Sequence, residues 1–265
     1  MRKILIGVLL LGLVGLQGVL VKAADTNLSQ VMSAGSKSVG SAASADLSGL
    51  TATYTTQNAT GNFIIDPKNA VGDGAKWDAT ATSTNFTTIG AVIKTVGANS
   101  TVGKSGTYDG TYGVVDPVKK YTVEITTGGA VGAAVFKWRV NAETWTETVT
   151  TAASVVLEKG ISVTFATATY VIGDQWQFGV DVFPYTGLTV TPQSVTADSG
   201  SATGLTAGSA EALAGSGVTS DAKTLITGDY YRGMGDYAQT ENLSLSVHAN
   251  PIAGTYSAVA TVTGL

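Results

Sequence analysis

His248 is the only histidine of the 265 residues, and there is no cysteine. Those two facts narrow the chemistry at once. A serine nucleophile needs a base within hydrogen-bond reach and a third group to orient that base. Only His248, with Ser244 or Ser246 and an aspartate, offers the residue types. No Gly-x-Ser-x-Gly elbow is present; Ala214-Gly215-Ser216-Gly217 is one position off. Paired carboxylates for glycoside hydrolysis would draw on Glu143, Glu147 and Asp174, the acids nearest to aromatic residues. Asp73, Asp78, Asp109, Asp116 and Asp174 stand in or near glycine-containing turns, where oxygen ligands for calcium gather, but none forms a D-x-[DN]-x-[DN]-G loop. Asp and Gly are also the ordinary residues of turns. The expectation is a protein that is not an enzyme, with no metal and no cofactor.

Aromatic faces remain as the binding chemistry. Trp138, Trp145, Trp176 and Tyr170 are candidates to line a carbohydrate groove. Trp138 and Trp176 alternate with other large apolar residues and read as core. Trp145 lies between Thr144 and Thr146, with Glu143 and Glu147 just outside, and reads as the aromatic that faces a ligand.

The elements that must position these side chains are strands. Thr, Val, Ala, Ser and 33 glycines dominate, and only 13% of residues are charged. β-Branched residues favour strands and Gly punctuates turns. Beyond the N-terminus no apolar period of 3.6 residues is sustained; alanines at 207–214 allow one short helix at most. Strands are expected at Thr51–Tyr54, Asn62–Ile65 and Lys76–Thr82, the last with Trp77, Ala79 and Ala81 on one face. Clear alternation follows at Tyr121/Val123/Ile125, Phe136/Trp138/Val140, Ile161/Val163/Phe165 and Trp176/Phe178/Val180/Val182. Leu188–Pro192, Leu243–Val247 and a last strand over Gly254–Thr263 complete the set. Many short strands between turn signals mean a sandwich or barrel.

Met1-Arg2-Lys3, the apolar run Ile4 to Val21, and Val21-Lys22-Ala23 read in order as the parts of a secretory signal peptide. A retained membrane anchor is the alternative. The net charge of −4 argues against nucleic acid, which needs a basic footprint. The expected organisation is a signal peptide over 1–23 and a low-complexity arm over 24–49. A discontinuous β-sandwich over 50–105 plus 186–265 is interrupted by a second, small β domain over 106–185.

Two separated stretches carry a resemblance. Val71-Gly72-Asp73-Gly74-Ala75-Lys76-Trp77-Asp78-Ala79 is a Gly-rich turn before a Trp-bearing strand. Gly233 to Tyr237, Leu243 to Val247, and Gly254-Thr255-Tyr256-Ser257-Ala258 lead to the end of the chain. Together they resemble the WxL-type surface domains of Gram-positive bacteria. The first Trp-x-Leu of that family corresponds here to Trp77-Asp78-Ala79, and the C-terminal one is replaced within Ala260 to Leu265. The resemblance implies an Ig-like or WxL-like β-sandwich held non-covalently at the cell wall through peptidoglycan. With it, Trp77 joins Trp145 and Tyr170 as candidate ligand-binding residues.

The chain thus reads as a secreted, non-catalytic adhesion or wall-binding module retained at the cell surface. Its partners would be cell-wall glycan or other surface proteins, with no membrane span after signal cleavage. The alternative is a structural subunit that self-associates through edge strands into a layer or filament, since the chain ends inside an expected strand and the 25–50 arm offers another.

Overall fold

In a computed structural model, residues 37–41, 45–69, 74–97, 102–108, 118–230, 232 and 234–264 are described. All belong to the unit Ala34–Leu265. The expected signal peptide, most of the arm, and Asp73, Asp109 and Asp116 lie outside the described residues. Among those described, no helix is long and apolar enough to cross a membrane.

The fold is all-β. Alternation becomes burial directly: Trp77, Ala79 and Ala81 face inward along Trp77–Ser83, and Tyr121, Val123 and Ile125 do so along Val118–Thr127. Two apolar cores result. One lies between two sheets, the first ordered Lys37–Ser41, Gln57–Asn69, Gly235–Val247, Leu188–Pro192, Glu211–Ala212, and the second ordered Leu205–Ala207, Lys223–Gly228, Trp77–Ser83, Ala260–Gly264. The central strand Gly235–Val247 runs antiparallel to Gln57–Asn69 from Val247↔Gln57 to Gly235↔Asn69.

The other core gathers Tyr121, Phe136, Phe165, Tyr170, Trp176 and Phe178. It lies between a sheet ordered Val149–Thr150, Val135–Val140, Val118–Thr127, Gln175–Phe183, Phe86–Ile89 and a smaller one of Val155–Glu158, Ile161–Phe165 and Val102–Gly106. Tyr121 and Phe178 stack with ring centroids 5.2 Å apart, and Tyr170 meets Trp176 edge-on at 5.9 Å. Burying each such ring contributes roughly 1.5–3 kcal/mol.

Two expected strands are corrected, and two further stretches take a definite form. Thr51–Tyr54 forms no strand, because Thr53 Oγ1 donates to Thr55 O at 3.0 Å and accepts from Gln57 Nε2 at 2.8 Å, local bonds that compete with a ladder. The alanines near 207–214 form no helix: a short isolated helix is marginal, and Glu211–Ala212 pairs instead with Val190 and Thr189. The last strand is only Ala260–Gly264, because Tyr256 is drawn inward, its hydroxyl 2.5 Å from Asp181 Oδ2. Part of the low-complexity arm, Lys37–Ser41, is a strand paired to Gln57–Asn69.

Candidate functional site

Two of the three expected ligand-facing aromatics are core residues. Trp77 is 4% exposed and Tyr170 1%. Trp77 stacks on Tyr237 with centroids 6.4 Å apart. A Cβ on Gly228 would stand 2.1 Å from Trp77 Nε1, so the strand backbone there must be bare for the indole to fit. Tyr170 is walled in by Phe165 and Trp176 and donates its hydroxyl to Ala166 O at 2.8 Å. Neither ring presents a face to solvent, because each begins the apolar filling of a core.

Trp145 is different. Thr146 N donates to Trp138 O at 2.9 Å, and Trp138 N donates to Thr146 Oγ1 at 3.1 Å. Thr146 therefore runs beside Trp138, and alternation puts Trp145 on the opposite, outer face of the sheet, with Lys137 and Arg139. The Lys137 ammonium and the Arg139 guanidinium each lie 4.5 Å from the indole. Lys137 also pairs with Glu124 at 3.1 Å, and Gln175 Nε2 donates to Glu124 at 3.1 Å. Arg139 Nε has no hydrogen-bond partner. The result is a half-exposed indole beside fixed polar side chains on a sheet face, a surface on which a sugar ring can stack and hydrogen-bond. Glu143 and Glu147 are exposed near it. Asp174 is buried instead, accepting from Val171 N at 3.0 Å and lying 3.5 Å from Lys94, so these three acids do not converge. Among the described residues no three His, Asp or Glu gather into a cation site.

A second feature is a groove of about 750 Å³ between the sheets of the first core. Leu47, Phe63, Leu188, Leu245, Ile252 and Val262 contribute to its apolar wall. None of Trp145, Tyr170 and Trp77 lines it. It falls in the size range of small-ligand sites.

His248 sits just past the end of the central strand and belongs to a polar hub around Asp181, whose side chain is fully buried. Asp181 accepts from Val182 N at 2.7 Å and Ile252 N at 2.9 Å, lies 2.8 Å from His248 Nε2, and meets the Tyr256 hydroxyl. His248 Nδ1 faces Ala249 O at 2.8 Å. Both ring nitrogens thus face oxygens other than Ser244 or Ser246. Phe183 packs against Tyr256 at 4.1 Å and His248 at 5.0 Å. Ile252 fits against Gly179, where a Cβ would come within 2.4 Å of its Cδ1. The turn after the central strand is thereby clamped onto the end of Gln175–Phe183.

Sequence reasoning missed one more group. Glu241 is fully buried on the inner face of the central strand, with both carboxyl oxygens unpartnered. Desolvation pushes its pKa up to about 7, with the nearby Lys223 charge opposing. The signal was available: Tyr237, Gln239, Glu241, Leu243 and Leu245 share one register, so two polar side chains lie in an inward series.

Compared with models of protein families, with curated proteins and with solved structures, the chain matches none.

Proposed function

We propose that this chain is a non-catalytic, exported protein of a bacterial cell surface that binds wall glycan. The observation that carries the reading is Trp145, a half-exposed indole set on an outer sheet face between Lys137, Arg139 and Glu124. Tyr121, Phe136, Tyr170 and Trp176 of that region are buried, and the partly buried Trp138 packs against the same core, whereas Trp145 lies on the outer face. The resemblance to WxL-type surface domains and the N-terminal signal-peptide pattern supply the location. In this reading the second core is a β domain inserted into the first sandwich. Trp77 takes no part in ligand contact, and the wall is held by a different surface from the one the family likeness implies. Co-sedimentation of the purified protein with isolated cell walls tests the proposal: the protein is expected in the pellet, and its retention in the supernatant overturns the reading.

A second reading, a structural subunit assembling through strand edges, is favoured by Lys37–Ser41 and Ala260–Gly264, each of which ends its sheet. Both strands have partners within the chain, so assembly would use their outer edges. Size measurement at rising concentration tests it; a strict monomer rules it out.

A further inference from the structure

Glu241 and Lys223 place two ionisable groups inside the first sandwich. Lys223 is 4% exposed at its side chain, and its ammonium lies 2.9 Å from Glu211 Oε1, a carboxylate 59% exposed at the rim. Glu241 is close enough to Lys223 to feel its charge and has no hydrogen-bond partner of its own. One buried ammonium therefore stands between a rim carboxyl that holds it and a core carboxyl that does not.

Among the described residues, the other elements packed around Glu241 bring no further charge to it. Its ladder neighbours are Phe63 and Pro192. The inward positions of Gln57–Asn69, Leu188–Pro192 and Trp77–Ser83 carry Ala59, Phe63, Ile65, Leu188, Val190, Trp77 and Ala79. On its own strand Gln239 donates to Gln193 O and Leu225 O and leaves its Oε1 unpartnered. A protonated Glu241 has a donor to offer such an acceptor; an ionised one has none and must find a cation. Among the described residues that cation is Lys223.

We propose that Lys223 is a shared cation whose partner is set by the protonation of Glu241. With Glu241 protonated, Lys223 holds Glu211 at the rim. When Glu241 ionises, Lys223 turns to the core carboxylate and Glu211 is released. What is released matters, because Glu211–Ala212 is a two-residue strand at the end of its sheet. It is held by its pairing with Thr189 and Val190, by Leu213 N donating to Leu188 O at 2.9 Å, and by the Lys223 bridge. Leu213, next in sequence, is a wall residue of the inter-sheet groove. The device thus loosens one wall of the groove as pH rises, on a short ladder where one ion pair is a large share of the restraint.

Amide hydrogen exchange of the full chain at pH 5.5 and 8.5, corrected for intrinsic exchange rates, tests this. The protection factors of residues 211–214 are expected to fall at least tenfold at the higher pH, while those of the central strand hold. Glu241→Gln, which keeps the shape and removes the titration, is expected to abolish the difference, and Lys223→Met to leave 211–214 poorly protected at both pH values. An undiminished pH response in Glu241→Gln overturns the proposal. Should that variant fail to fold, the carboxyl carbon resonance of Glu241 in the unmodified protein decides: a midpoint near 7 supports the device, and one in the ordinary carboxylate range contradicts it.

Discussion

Single residues differ sharply in what they support. Trp145 rests on two cations at the surface, contacts worth about 0.5–1 kcal/mol each at exposed sites. Trp145→Ala is therefore expected to cost no more than about 2 kcal/mol of stability. Trp176→Ala, from a side chain 1% exposed, is expected to cost roughly 3–5 kcal/mol. Urea denaturation of the two variants separates them; equal losses would return Trp145 to the core. Asp181 accepts from four directions in a fully buried site. Its replacement by Ala orphans those donors and is expected to cost ~3–5 kcal/mol, measured the same way. Glu241 gives a pH dependence with a definite sign. Its folded pKa is raised above that of the unfolded chain, so its contribution is fully present below about pH 4.5 and is lost as pH rises through about 7. Melting temperatures taken from pH 5 to 8 are expected to fall in the natural protein and to fall less in Glu241→Gln.

Elements show where the sequence could be read and where it could not. Where one face is buried and the other wet, as in Trp77–Ser83, period-two alternation gave the strand and its inward residues together. Gln175–Phe183 starts that way but ends with Val180, Asp181, Val182 and Phe183 all buried. Val180 and Val182 face one core and Phe183 the other. A strand passing between two cores loses its alternation, and Asp181, which the alternation sets opposite the apolar face, is instead a buried anchor. The Asp181 hub was illegible for a related reason: its members come from positions 181, 248, 252 and 256, and pairing across that distance is set by tertiary packing. Trp77 shows the opposite error. A tryptophan in an alternating strand was already readable as core, and the family likeness drew it toward the surface. Its tight fit makes a prediction at this scale: Gly228→Ala would set a Cβ against the indole and is expected to cost about 1–3 kcal/mol in chemical denaturation.

At the scale of the molecule, two cores share one strand and one clamp. The sandwich built on the central strand holds the groove and the Glu241–Lys223 pair, and the sheet that contains Gln175–Phe183 carries Trp145 on its outer face. The surface feature read as ligand-binding thus belongs to one core and the titrating feature to the other. All-β architecture was legible from composition and alternation. The groove was not, because it is made by what the facing sheets leave unfilled. The central claim is that Trp145 carries attachment to wall glycan, and it is tested most directly by binding isotherms of the natural protein and Trp145→Ala on the same purified cell walls. The account predicts that the variant binds roughly tenfold or more weakly, the loss expected for a central aromatic anchor, while its fold is retained. Equal binding by the two proteins would contradict it.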